Sequence, residues 1–193
     1  HQLSAYSKET LKALHEQGYT FVFATGRHHV DVASIRRTVG IPAYMITSNG
    51  ARVYDQNDQE MYSQNVPEDL VQPVIDTIKT DPEILIHMYQ NDDWLLNKDD
   101  EQLRDFHEEF SYKLYDQDNA PTDGIAKIFF THPAQDHEHL VTFETKLREQ
   151  FGDRLNIAFS TPWCLEVMSA GVSKGDALKA CLLYTSPSPR DVR

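Results

Sequence analysis

The sequence predicts an α/β fold: a doubly wound, Rossmann-like core, incomplete, with an α+β cap domain inserted into it. Three observations lead there. The first third alternates helical and apolar strand patterns joined by short loops, which is how a doubly wound sheet is written. The middle changes to hairpins mixed with amphipathic helices, the pattern of a separate α+β unit. Near residue 165 the chain returns to a glycine-flanked helix start, GVSKGDAL. The chain is thereby divided into core residues 1–59, a cap over 60–164, a core return segment 165–180 and a tail 181–193.

The elements follow in order. HQLSAYSKETLKAL enters a helix almost at once, with Ser4 or Ser7 as N-cap, Leu11 and Leu14 on one face and Gly18 as the stop. Tyr19 to Ala24 (YTFVFA) is rich in β-formers and reads as a buried parallel strand. It ends in Thr25-Gly26-Arg27, and a helical pattern runs through Val30, Ala33 and Ile35 to Gly40. A second strand, Tyr44 to Thr47, ends in Ser48-Asn49-Gly50. Ala51 to Tyr54 and Glu60 to Tyr62 flank a polar turn and form a hairpin. Pro67 to Thr80 is helical in pattern, with Pro67 at its start and Pro73 expected to kink or delay it. Ile84 to Tyr89 and Trp94 to Asn97 flank Asn91-Asp92-Asp93 as a second hairpin. Glu101 to Tyr112 reads as helix, Ala126 to Thr131 as strand and Gln135 to Phe151 as a charged amphipathic helix. Leu155 to Phe159 and Cys164 to Met168 are strands about a Thr161-Pro162 turn. A last helix begins at Ser173 and is expected to break off at Ala180. Cys181 to Asp191 resembles a translated sequencing adaptor, and Ser186-Pro187-Ser188-Pro189 cannot continue a helix, so 181–193 reads as a non-native read-through tail.

Composition narrows the function. The 193 residues carry 30 acidic and 18 basic side chains, a formal charge of -12, without a basic stripe. Nucleic acid is therefore not the expected partner, because phosphate backbones demand clustered Lys and Arg. No apolar run approaches the roughly 18 residues needed to cross a bilayer, so no membrane association is expected. No leader pattern opens the sequence, and its two cysteines, Cys164 and Cys181, suit a reducing compartment, so a cytoplasmic location is expected. An acidic surface repels anionic substrates unless a local site supplies positive charge.

Such a site is written at two strand ends, where ligands of open α/β sheets bind. Thr25, Gly26 and Arg27 bring a hydroxyl, an unobstructed backbone and a guanidinium just before a helix N-terminus. That set suits a phosphate. It equally suits a plain strand-to-helix turn with Thr25 as N-cap and Arg27 on the surface. Ser48, Asn49 and Gly50 repeat the arrangement on the next strand, although Asn-Gly alone is common in turns. Lys174 stands in the first turn of the last helix, where its charge opposes the dipole unless an anion lies beside it.

FATGR, SNGA and EVMSAGVSKGDAL, in this order around an inserted α+β unit, resemble the haloacid-dehalogenase superfamily phosphatases of the Cof type with a type-IIB cap. The longer stretches FVFATGRHHVDV and YMITSNGARV are most similar to the group acting on pyridoxal phosphate and sugar phosphates. The resemblance implies a small phosphorylated metabolite as substrate, with Thr25 binding the transferring phosphoryl group and Lys174 neutralising charge as catalytic residues. It places Gly26, Arg27, Asn49 and Gly50 in phosphate- or substrate-binding loops. It also implies magnesium and an aspartyl-phosphate intermediate. The family's D-x-D-G-T and G-D-x-x-N-D motifs, which supply the nucleophile, the acid/base and metal carboxylates, do not occur in this chain, so no metal ligand is assigned and the chain is expected to be an inactive fragment. The alternative is a non-catalytic module that binds a phosphate ligand. No G-x-G-x-x-G or G-x-x-x-x-G-K-[ST] string supports another nucleotide-binding enzyme.

Other residues are weaker candidates. His132, His137 and His139 with Asp136 suggest zinc on paper but open a charged helix expected to be exposed. His28 and His29 are expected to point in different directions, with at least one on the surface. Asp92-Asp93 and Asp99-Asp100 lack the glycine and glutamate of a calcium loop. Cys164 reads as a core thiol. His87, Tyr89 and Trp94 on the cap hairpin could meet a leaving group. Tyr89 is better read as core and Trp94 equally as an edge residue. Lys127 and Glu166 are placed near the junction of cap and core.

Overall fold

The computed structural model describes residues 4–104 and 110–185 and resolves into two compact units, one formed by residues 1–63 with 173–193 and the other by 64–172. The expected boundaries near 60 and 165 differ from these because the flanking strands pair within their own sheets. Glu60–Ser63 pairs with Arg52–Tyr54 in the first unit, and Cys164–Ser169 pairs on both sides in the second.

The first unit holds a four-stranded sheet. Helix α1 (Ala5–Glu16) is capped by Ser4, whose hydroxyl accepts the Ser7 N–H at 3.1 Å, and it buries none of its side chains. Strand β1 (Phe21–Ala24) pairs in parallel with β2 (Ala43–Thr47), with helix α2 (His29–Val39) as the crossover. Antiparallel β3 (Arg52–Tyr54) and β4 (Glu60–Ser63) complete the order β1-β2-β3-β4. Gly40, at φ 70°, ends α2 in the left-handed conformation glycine adopts without steric cost. Alternation along the strands sends Phe23, Met45 and Tyr54 to one face with Val32 of α2. Ile46 and Val53 go to the other face, with Ala177 and Cys181 of helix α6 (Lys174–Thr185). The sheet is thus covered by a helix on each face, as a doubly wound fold requires. The β1 side chains are only half-buried or exposed, since β1 lies at the edge of the sheet rather than inside it. Helix α6 does not stop at Ala180. Cys181 follows Ala177 by four residues, extends the same apolar face and is buried, so the helix continues through Thr185. The proline-containing residues of the expected tail lie outside the described residues.

The second unit holds a six-stranded sheet in the order β7-β6-β5-β8-β10-β9. The strands are β5 (Leu85–Gln90), β6 (Asp93–Leu96), β7 (Tyr112–Leu114), β8 (Ile125–Thr131), β9 (Leu155–Thr161) and β10 (Cys164–Ser169), antiparallel except for β6 with β7. Helix α3 (Glu68–Ile78) starts on time and carries Pro73 inside it, while Pro67 serves as N-cap. The helix α5 (His137–Phe151) is capped by Asp136. Leu70, Val74, Ile75 and Ile78 of α3 and Leu140, Phe143 and Leu147 of α5 pack on Ile86, Ile128, Phe130, Leu165 and Val167 of the sheet. Burying one such side chain stabilises by about 1.5–3 kcal/mol. The helix expected over Glu101 to Tyr112 is described only as the short α4 (Glu101–Arg104), and Tyr112–Leu114 is strand, with 105–109 outside the described residues. The Tyr112 hydroxyl donates to Asp99 at 2.5 Å, which fastens this edge.

The other face of the cap sheet is polar and aromatic. Lys127 on β8 pairs with Glu166 on β10 at 2.7 Å, both side chains nearly fully buried. Its ammonium lies 4.9 Å from the Tyr89 ring centre and 4.7 Å from that of Phe129. Removing one partner of such a pair strands the other charge in a dry site. Lys127→Met is expected to destabilise the cap by about 3–5 kcal/mol, and the double change Lys127→Met with Glu166→Leu by much less. Urea unfolding followed by cap tryptophan fluorescence checks this.

Candidate functional site

The site is built where β1 and β2 end. Parallel pairing continues past both strands: the Thr25 N–H donates to Ile46 O at 2.8 Å, Asn49 N–H to Thr25 O at 3.1 Å and Ser48 N–H to Arg27 O at 2.9 Å. The turn following β2 is unusual because Ser48, Asn49 and Gly50 have φ of 48°, 60° and 108°. Non-glycine residues held at positive φ cost on the order of 1–3 kcal/mol each unless their surroundings hold them there. Here the backbone hydrogen bonds to the Thr25–Arg27 turn do so.

The predicted residues come together at this turn. The amide oxygen of Asn49 lies over Gly26 so closely that a Cβ on Gly26 would sit 2.6 Å from it. On its other side the turn abuts the start of α6: a Cβ on Gly50 would lie 2.3 Å from Ser173 O and 3.1 Å from Lys174 N. Thr25-Gly26-Arg27 and Ser173-Lys174 therefore both touch one three-residue turn, from opposite sides. The Thr25 hydroxyl accepts the Arg27 N–H at 3.1 Å, which leaves its own O–H as a donor. Lys174 is exposed. Arg27 is 54% exposed and its guanidinium reaches Asp31 at 3.5 Å, one helical turn on. The Thr25–Arg27 turn and the start of α6 thus each lie against the Ser48–Gly50 turn that follows β2.

Sequence reasoning missed several supporting residues. Ser173 caps α6 by accepting the Asp176 N–H at 3.0 Å, and its hydroxyl donates to the Asp176 carboxylate at 2.7 Å. That bond, and then the Lys179 charge, holds the Asp176 carboxyl below its usual range. The Ser-x-x-Asp spacing is a legible signal for this cap. Arg52 is buried, donates to Ala51 O at 2.9 Å and faces Glu60 at 3.6 Å, and desolvation lowers its pKa. The N-cap of α2 is His28 rather than Thr25. His28 and His29 do not diverge: His28 precedes the helix in extended backbone, is buried, and its ring centre lies 4.4 Å from that of His29.

The cap candidates resolve differently. Trp94 is buried rather than at an edge, because β7 pairs outside β6. Its indole N–H donates to His87 Nδ1 at 3.1 Å, so the neutral His87 ring carries its proton on Nε2, toward Thr131 Oγ1 at 2.8 Å. Burial, and then the Lys127 charge, lowers the His87 pKa to about 3. The Cys164 thiol is half-buried and pushed up by burial, an unreactive state. His137, His139 and His132 do not converge on one point: His137 Nδ1 meets Pro162 O at 2.7 Å, His139 Nε2 meets Asp81 at 2.5 Å and His132 faces Glu83 at 3.4 Å. Asp93 pairs with Lys113, and the Asp100 side chain accepts the Leu103 N–H, so these acids serve turns. Among the described residues, no group of three or more His, Cys, Asp or Glu is placed to hold a metal ion, and no helix is long and apolar enough to cross a membrane.

A sequence profile of the haloacid dehalogenase-like hydrolases matches residues 1–192. The chain belongs to this family. A protein of Haemophilus influenzae named "Putative phosphatase" is 42% identical over 185 residues, covering 94% of this chain and 67% of its own. An "HMP-PP phosphatase" of Serratia proteamaculans is 33% identical, covering 92% of this chain and 65% of its own. The chain thus spans about two thirds of the length of these relatives. Among solved structures, a haloacid dehalogenase-like hydrolase from Bacteroides thetaiotaomicron aligns with a TM-score of 0.82 at 20% identity, over 95% of this chain and 70% of that one. A HAD subclass IIB sugar phosphatase aligns at 0.78 and 15% identity, over 97% and 71%. These structural likenesses establish the Rossmann-like core with its cap.

Two outcomes follow for this haloacid dehalogenase-like chain. Gly50→Ala is expected to destabilise the first unit by about 2–3 kcal/mol, because its backbone and the Ser173 carbonyl both exclude a Cβ. Gly26→Ala costs less, since it meets the end of the Asn49 side chain, and urea unfolding of the two variants ranks them. A histidine kept neutral by the fold takes up its proton only on unfolding, so the cap loses stability as pH falls from about 6.5 toward 3. His87→Gln is expected to flatten that slope in a pH series of thermal melts.

Proposed function

We propose that the protein carrying this chain is a phosphatase acting on small phosphorylated metabolites. The observation that carries the reading is the shared turn at Ser48–Gly50, which has the Thr25 loop against one side and the start of α6 against the other. In this reading the Thr25 O–H donates to a phosphoryl oxygen and Lys174 offsets negative charge. Arg27 swings from Asp31 to the substrate. Gly26 has no Cβ and so lets Asn49 lie over it, and Gly50 lets the α6 start approach. These groups bind, orient and neutralise.

They do not include a nucleophile. The family's magnesium-dependent aspartyl-phosphate chemistry needs carboxylates of two motifs absent from these residues, and the described residues do not fit a metal ion. The chain by itself is therefore proposed to bind a phosphoryl group without hydrolysing it. The names of the relatives support a compact phosphorylated substrate, either HMP-PP or a sugar phosphate, with pyridoxal phosphate as a third member of that class.

Phosphate release tests the reading. The chain alone is expected to release none above a Lys174→Ala control in the presence of magnesium. The longer protein containing a D-x-D-G-T motif is expected to hydrolyse small phosphate esters, with Thr25→Ala and Lys174→Ala each lowering kcat at least about a hundredfold. Turnover of none of these esters by the longer protein would favour the non-catalytic phosphate-binding module instead.

A further inference from the structure

The helix start beside Thr25 is held in an uncommon way. Helix N-caps are ordinarily Ser, Thr, Asp or Asn, whose short side chains accept an orphan N–H. Thr25 stands three residues before the capping position, and its hydroxyl accepts the Arg27 N–H within its own turn. The cap of α2 is instead the imidazole of His28, whose Nδ1 accepts the Val30 N–H at 3.2 Å. The Val32 N–H donates to the His28 carbonyl at 3.2 Å, so both the side chain and the backbone of His28 begin the helix. The ring is 1% exposed and packs on His29, whose ring centre is in turn 4.8 Å from that of Tyr54.

We propose that His28 is the positioning residue of the anion site: the Thr25–Arg27 turn keeps its shape while the imidazole Nδ1 accepts the Val30 N–H, with the ring proton on Nε2. This rests on the reading of that turn as a phosphate site. An Nδ1 that accepts a hydrogen bond carries no proton. Protonation would put an N–H on Nδ1 facing the Val30 N–H, donor against donor, and would add a cation at the positive end of α2. The ring packs on His29, which reaches Tyr54. His28 touches no substrate in this scheme. It acts through the three residues that precede it.

Two variants separate the parts of the claim. His28→Asn keeps an acceptor without a titrating ring, whereas His28→Phe keeps the ring volume without an acceptor. The probe is sulfate, a dianion, titrated into the chain at about pH 8 while the Gly26 and Arg27 amide signals are followed. His28→Phe is expected to bind sulfate about tenfold more weakly than wild type and His28→Asn to match it, in line with the loss of one helix cap. Imidazole nitrogen shifts are expected to report the Nε2–H form at pH 8. The Val30 amide is expected to lose protection from exchange in His28→Phe and to keep it in His28→Asn. Wild-type affinity in His28→Phe, or an Nδ1–H ring at pH 8, overturns the proposal. Absence of sulfate binding by the wild type overturns the anion reading itself, and the exchange and tautomer measurements then still decide whether His28 caps the turn.

Discussion

The close approach of the Ser48–Gly50 turn to the start of α6 is the constraint on which the rest of the first unit depends. A Cβ at Gly50 has no room against the Ser173 carbonyl, so only glycine lets β2 end where a second helix begins. Once the turn is there, its N–H groups are within reach of the Thr25 and Arg27 carbonyls, and those bonds hold Ser48 and Asn49 in left-handed backbone. The strain of the turn and the order of the Thr25 loop are two sides of the same set of contacts.

The cap unit follows another logic. Its helix-covered face is an ordinary apolar core, while its second face keeps a lysine, a glutamate and a histidine among aromatic rings. Each of these groups is satisfied by a named partner: Lys127 by Glu166, His87 by Trp94 and Thr131. A buried polar network with its members paired gives a rigid, specific surface, whereas one with a member missing is worse than an apolar one.

Much of the architecture is legible in the sequence because local signals agree with one another. The YTFVFA and AYMIT runs, the glycine stops and the Asp55–Gln59 turn each point to one arrangement. Thr25, Gly26, Asn49, Gly50 and Lys174 can be singled out since strand ends, small residues and an oddly placed cation carry physical meaning without a structure. The rest depends on partners distant in sequence. Trp94 is buried only because Tyr112–Leu114 forms a strand beyond it. Cys181 belongs to the core only because β2 and β3 bring Ile46 and Val53 beneath it. His28 is illegible for a local reason: histidine seldom caps a helix, and its pairing with His29 depends on the extended backbone before α2.

Inorganic phosphate titrated into the nitrogen-15-labelled chain tests the shared turn most directly. The amides of Gly26 and Arg27, of Asn49 and Gly50, and of Lys174 to Asp176 are predicted to shift together with one dissociation constant. Shifts confined to one of those three segments, with the other two unmoved at saturation, would contradict a common anion site.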